Sequence, residues 1–321
     1  MSKRYAIVSI GTNSARVLLA DIEPDRPRAE LARSIGTRIG EGLGERGRLG
    51  DEPIARTLDA VEQLARAVRG HYVRLFAIGT SALRRAENGE EFGQRVHELL
   101  GVPLRVLSGE EEAAASYRGA LTAFDGWRGE RVGVVDMGGG STEYAAGDSV
   151  APESVVSCEV GAVRLTEAVP ELAGRDAPVG AETISRARNI AREALKPLGK
   201  CARVERLALV GGSATTTAAI VRERRVPLTS SSLTRADLER TLDRLLGMNL
   251  QERKKVVGMK AQRADILPAG IIVLDAALET LGHDSAIATT ADLLLGVLLQ
   301  QRDAAGQPQR LHGGSEPRRG F

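Results

Sequence analysis

At 321 residues the chain is long enough for two domains with cores of their own. A formal net charge of +2 and 3% aromatic residues exclude a general nucleic-acid binder built on basic surfaces and base-stacking platforms. Cys158 and Cys201 are too few for a disulfide framework or a zinc site, no signal peptide is visible, and no apolar run approaches the ~18 residues of a membrane span, so the expectation is a cytoplasmic protein with no nucleic-acid and no membrane partner.

In chain order, Tyr5 to Ile10, Ala15 to Asp21 and Arg33 to Gly40 predict an antiparallel meander, followed by a glycine-rich loop from Gly36 to Gly50. Ile54, Leu58, Val61, Leu64 and Val68 recur at helical spacing after Asp51, which is read as the cap, and Pro53. Leu75 to Ile78 predicts a buried strand opening through Gly79-Thr80-Ser81 into a helix. Phe92 to Leu100 is a second helix and Leu104 to Leu107 a further strand. Ser108 with Glu111 three residues on makes a capping box for a helix reaching about Leu121. Asp125 to Glu130 reads as a crossover.

The same order then recurs. Val132 to Ala146 predicts a hairpin and Val155 to Val160 a third strand. Helices follow near Ala162 to Val169 and Glu182 to Leu198, then a strand, Leu207 to Val210, ending in Gly211-Gly212-Ser213. Thr234 with Asp237 caps a helix to Leu246. A long apolar helix spans Asp265 to Leu281, with a last strand at Ala286 to Ala288 and a last helix at Ala291 to Gln301. The expected organisation is an N-terminal lobe over 1–124, a C-terminal lobe over 125–302 and a disordered tail over 303–321, where Gly, Pro, Gln and Arg leave little to bury.

The repeat carries chemistry. Val8-Ser9-Ile10-Gly11-Thr12-Asn13-Ser14 matches Val135-Asp136-Met137-Gly138-Gly139-Gly140-Ser141 in its valine, glycine and serine, with Ser9 standing where the second copy has Asp136. Gly138, Gly139 and Gly140 let the backbone turn closely, so that successive amides form a nest for phosphate oxygens. Asp136 and Glu143 are hard oxygen ligands suited to magnesium beside phosphate. A lone glycine triplet is more often a plain turn; its recurrence suggests two lobes facing a shared cleft. Glu110, Glu111 and Glu112 open a helix, where acidic residues suit the macrodipole in any case.

Three strands, helix, strand, helix, strand, helix, twice over, resembles the ribonuclease-H-like pattern of the actin, Hsp70 and sugar-kinase superfamily. The motifs Ile10 to Arg16, Gly79 to Arg84, Ser108 to Ala113, Asp136 to Glu143, Gly161 to Thr166, Gly211 to Thr216 and Arg263 to Gly270, in that order, resemble more narrowly the exopolyphosphatase and guanosine pentaphosphate phosphohydrolase (Ppx/GppA) family. The resemblance implies an α/β fold of two ribonuclease-H-like lobes around a central cleft. It implies metal-dependent removal of the terminal phosphate of inorganic polyphosphate or guanosine pentaphosphate. It makes Glu112 the general base and gives Mg²⁺ or Mn²⁺ to Asp136 and Glu143. Asn13, Ser14, Arg16, Arg84, Gly138, Gly139, Gly140, Ser141, Gly212, Ser213 and Thr215 are its phosphate-binding candidates. Asn13 could also cap a turn, Arg16 could pair with a carboxylate, and Asp265 reads as a helix cap or inter-lobe pair. The family usually carries aspartate at position 9, so Ser9 leaves a second reading open, a catalytically weak binder of polyphosphate or guanosine tetraphosphate. A third is an ATP-using sugar kinase or actin-like relative, which would lack the Glu112 motif. A homodimer is a candidate assembly, since two-lobed relatives often dimerise.

Overall fold

The computed structural model describes residues 4–22, 27–124, 127, 129–175, 178–224 and 229–306. The first lobe contains β1 (Arg4–Ile10), β2 (Ser14–Asp21), β3 (Arg28–Gly36), α1 (Leu43–Arg46), α2 (Asp51–Val68), β4 (Arg74–Gly79), α3 (Ser81–Arg85), α4 (Gly89–Leu100), β5 (Leu104–Val106) and α5 (Gly109–Ala120). The second contains β6 (Val132–Met137), β7 (Thr142–Gly147), β8 (Ser154–Cys158), α6 (Ala162–Ala168), α7 (Ala181–Leu195), β9 (Arg206–Val210), α8 (Gly212–Val221), β10 (Ser230–Thr234), α9 (Arg235–Leu246), α10 (Leu250–Lys255), α11 (Leu267–Leu281), β11 (Ser285–Thr289) and α12 (Leu293–Gly306).

The two sheets run β3-β2-β1-β4-β5 and β10-β11-β9-β6-β7-β8. In each, an antiparallel meander of three strands is extended by parallel strands, β4 and β5 beside β1 and β9 and β11 beside β6, and the second sheet ends in β10, antiparallel to β11. The repeat is therefore structural. It is also in register, because Ser9 faces Arg16 across β1 and β2 where Asp136 faces Glu143 across β6 and β7.

Strand alternation sorts the core. Ala6, Val8 and Ile10 of β1 pack with Val61 and Leu64 of α2, while Tyr5 and Ile7 point the other way, to Leu294 and Leu298 of α12. In the second sheet Val135 and Met137 join α7, α8 and α11, and Val132 and Val134 meet Ala113 and Tyr117 of α5. Packing thus crosses chain order: α5 covers the second lobe's sheet, and α12, the end of the chain, covers the first lobe's. The two helices cross at Gly119 and Gly296, where a methyl on Gly296 would sit 1.7 Å from the Ala115 carbonyl oxygen. Only glycine admits that approach, and it fixes how the lobes meet.

Several boundaries differ from expectation. β3 begins at Arg28 because it is an exposed edge strand whose polar residues hide its period. The serine-rich β10 pairs with β11 at the opposite sheet edge and carries no apolar alternation, and the short helices α1 and α10 have too few turns to show one. Gly50, not Asp51, holds the cap position of α2, and Asp51 serves in the first turn, where its charge suits the helix dipole. The capping boxes of α5 and α9 form as the sequence implied. α12 continues through Gly306, past the residue-303 boundary of the expected tail; the rest of that tail, and residues 125, 126 and 128 of the crossover, lie outside the described residues. Among the described residues no helix is long and apolar enough to cross a membrane.

Candidate active site

The turns that follow β1 and β6 face each other. A methyl on Gly140 would lie 2.8 Å from both Thr12 Oγ1 and Ser81 Oγ, and one on Gly139 would lie 3.4 Å from the Asn13 amide nitrogen. Between them lies a cavity of about 90 Å³, lined by Asn13, Ser14, Arg16 and Ser9 from one lobe, and by Gly138 to Ser141 with Asp136 and Glu143 from the other. Glu112 reaches it from α5, and Gly211, Gly212 and Arg263 close its far wall.

Three carboxylates converge here, with Glu112, Glu143 and Asp136 at 5%, 3% and intermediate exposure. Arg84 Nη1 donates to Glu112 Oε1 and, at 2.7 Å, to the Leu107 carbonyl, which holds the glutamate in one orientation. Ser116 Oγ donates to Asp136 Oδ2, and Ser157 Oγ donates to Glu143 Oε1 at 3.0 Å. Burial raises the Glu112 carboxyl to about 7 in spite of Arg84, with Asp136 and Glu159 adding repulsion. Burial raises Asp136 to about 6, partly opposed by the Ser116 hydroxyl. Glu143 is raised well above the carboxylate range by burial, then by repulsion from Glu112 and Asp136. Burial is the first cause in all three, so the folded chain disfavours their ionised forms unless something offsets the charge.

The phosphate-binding candidates divide. Asn13, Ser14, Arg16, Gly138, Gly139, Gly140, Ser141 and Gly212 share the central cavity. The buried Asn13 amide has no partner for either its nitrogen or its oxygen, as a group awaiting a ligand would. Thr215 lines only the adjoining cavity, and its hydroxyl is turned to the Gly211 carbonyl at 3.1 Å. Ser213 is buried against Gly270 of α11 and does not line the cavity, because the helical turn carries it to the opposite face. Arg84, a phosphate-binding candidate, does not line the central cavity, and its Nη1 is engaged by Glu112 and the Leu107 carbonyl. Arg16 pairs with Asp292, and Asp265 pairs with Arg38 across the cleft at 2.6 Å.

Sequence reasoning missed Ser116, although its spacing of four from Glu112 on one helix announces a shared face. It also missed Thr12, Ser81 and Asp292, and it gave Lys260 and Arg263 no role. Those two lie in the connection between α10 and α11, where no period points anywhere. The Arg263 guanidinium lies over Gly212, with Nε unpartnered, and burial together with Arg16 pushes its pKa down to about 10.

Two sheets of like topology, facing each other through glycine-rich turns with carboxylates between them, define an actin-like two-lobed α/β protein. Comparison with known proteins narrows this. The profile of the Ppx/GppA phosphatase family matches residues 30–304, and the chain belongs to that family. It is 32% identical over 317 residues to exopolyphosphatase 2 of Mycobacterium tuberculosis, covering 92% of this chain and 98% of that one. Among solved structures it resembles a Ppx/GppA family member of Aquifex aeolicus (TM-score 0.79, 27% identity, 96% and 100% of the two chains). It also resembles an exopolyphosphatase of Cytophaga hutchinsonii (TM-score 0.84, 25% identity, 94% and 98%).

Proposed function

We propose that the chain hydrolyses the terminal phosphate of inorganic polyphosphate, with guanosine pentaphosphate as the alternative substrate of the same site. The observation that carries this is the buried Glu112 carboxyl, raised to about 7 and aimed by Arg84 into a cavity walled on both sides by amide turns. A carboxylate that titrates near neutrality suits a general base, and phosphoryl transfer asks for little more than a positioned water and charge neutralisation. In this reading the Gly139, Gly140 and Ser141 turn and the Asn13 and Ser14 turn hold the terminal phosphoryl group. Glu112 takes a proton from the attacking water, the bond to the bridging oxygen breaks, and the shortened chain leaves as the other product. The 32% identity to an exopolyphosphatase supports polyphosphate as the substrate.

Among the described residues no group of three His, Cys, Asp or Glu side chains is arranged to cage an ion. Asp136 and Glu143, opposite each other on β6 and β7, nonetheless fit Mg²⁺ or Mn²⁺, since magnesium is commonly held by one or two carboxylates, with phosphate and water filling its other positions. Their raised pKa values mark the charge a cation would offset. When bound, the ion would neutralise phosphoryl oxygens.

Ser9 lines the same cavity and brings no charge. Ser9→Asp should lower the magnesium concentration needed for half-maximal phosphate release by about tenfold, the worth of roughly one charge-assisted contact. An unchanged magnesium titration would show that position 9 does not face the ion. Gly212→Ala should weaken the apparent affinity for tripolyphosphate by about tenfold or more, because the added methyl would fall 1.9 Å from Arg263 Cζ and displace the guanidinium. A Michaelis constant equal to that of the unsubstituted protein would count against an anion-binding role for Arg263.

Ser9 also supports the second reading, a binder with little turnover. Phosphate release from polyphosphate and from guanosine pentaphosphate, with each divalent metal in turn, separates the two. Release above the uncatalysed rate supports the hydrolase, and tight binding without release supports the regulator.

A further inference from the structure

The cleft opens into two further cavities, one on each side of the central one, and their chemistry differs. On the Asn13 side a cavity of about 280 Å³ is lined by Arg38 and Arg175 against Glu41, Glu167 and Asp265. It is also partly closed off: Arg38 bridges to Asp265, and the Gly42 amide donates to Glu167 Oε1 at 3.2 Å. On the other side a cavity of about 280 Å³ shares Arg16, Gly211, Gly212 and Arg263 with the centre and adds Arg33 and Lys260, against the single acid Asp292.

Asp292 is already taken by Arg16. Among the described residues no carboxylate lies within ion-pair distance of Arg33, Lys260 or Arg263, and none of these three is among the residues with an unprinted partner. Three cations therefore line one cavity without an ion-pair partner, next to a centre where Asp136 and Glu143 have none either. Like charges gathered without partners are unfavourable unless something binds there. Burial first, and then Arg263 and Arg16, hold the Lys260 ammonium down to about 8, against the pull of Asp292. No aromatic side chain lines this cavity, so a guanine ring would find no face to stack on there.

We propose that the non-reacting phosphates of a linear polyphosphate leave the centre through the cavity of Arg33, Lys260 and Arg263, and that Lys260 is a specificity residue for that tail. The inference rests on the reading of the centre as a polyphosphate site and adds a direction to it. The chain runs from the amide turns past Gly212 towards β3, away from Asn13 and Arg38. A linear polyanion presents a charge at every phosphate, so each cation along this path gains a contact that a compact monophosphate cannot offer. Recognition by charge alone also favours inorganic chains over a nucleoside tail.

Binding of tripolyphosphate and of long-chain polyphosphate to the full chain, measured by calorimetry without turnover, tests this with Lys260→Glu, Arg33→Glu and Arg175→Glu. Arg175 is exposed and lines the opposite cavity. Lys260→Glu and Arg33→Glu should each weaken long-chain binding by about tenfold to a hundredfold, with Arg175→Glu unchanged. In a phosphate-release assay the loss should fall on KM rather than kcat. Lys260→Met keeps the bulk of the side chain and should give an intermediate loss. The proposal is overturned if Arg175→Glu weakens binding as much as Lys260→Glu, which would indicate a diffuse field, or if Lys260→Glu and Arg33→Glu bind as the unsubstituted protein does. Binding without release by the unsubstituted chain would refute hydrolysis and still leave the direction of the tail decided by the three variants.

Discussion

Glu112→Gln is expected to lower phosphate release from polyphosphate by about a hundredfold to ten-thousandfold, the range of a positioned acid–base group. The amide keeps the size of the side chain and can still accept from Arg84, so the fold and the anion site should persist and KM should change little. The pH profile separates a base from a structural residue. Glu112 must be unprotonated to accept a proton, and burial raises it to about 7, so kcat/KM of the unsubstituted enzyme should climb with pH through that region. The residual activity of Glu112→Gln should lack this limb. Arg84→Gln should move the limb to higher pH, since the guanidinium is the main influence holding the carboxyl down. An intact limb in Glu112→Gln would assign the base to another group.

Burial lifts Asp136 to about 6 and Glu143 well above the carboxylate range, so both release protons more readily in the unfolded chain than in the folded one. Their contribution to stability is present at acid pH and is lost as pH rises from the ordinary carboxylate range through these raised values. A divalent cation that binds the ionised pair reverses the loss. Added magnesium should therefore raise the melting temperature near about pH 8 and do much less near about pH 5. At a free concentration about 100 times its Kd the stabilisation is about 3 kcal/mol. Asp136→Asn and Glu143→Gln should each remove most of that increment, and both should be more stable than the unsubstituted protein at the higher pH without metal, because each deletes a buried charge that has no partner ion. Scanning calorimetry in chelator and in magnesium reads all of this without reference to turnover. Equal magnesium effects at the two pH values would argue against these carboxylates as the ligands.

The parts of this site written in local pattern were legible from the chain. The match of Val8 to Ser14 with Val135 to Ser141 announced both amide turns, and the structure sets the turns face to face and in register. The capping box at Ser108 and Glu111 fixed the start of the helix that carries Glu112. What depends on tertiary placement was not legible. Nothing near Leu293 to Leu299 says that this helix returns to the first lobe, because an apolar run is equally content on either sheet. The basic cavity gathers Arg33 from an edge strand and Lys260 from a loop more than two hundred residues later in the chain, and no spacing rule links them. Arg84 shows what a motif leaves unsaid: its place beside the site was legible, but its ion pair with the buried Glu112 depends on tertiary placement.

Crystals of the Glu112→Gln protein grown with Mn²⁺ and tripolyphosphate, with the metal located by anomalous scattering, offer the most direct test of the site. The terminal phosphoryl group is expected between the Asn13 turn and the Gly139–Gly140 turn, with manganese against Asp136 and Glu143 and residue 112 within reach of the water facing the terminal phosphorus. An anion seated outside the cleft, or a metal held away from both carboxylates, would contradict this placement.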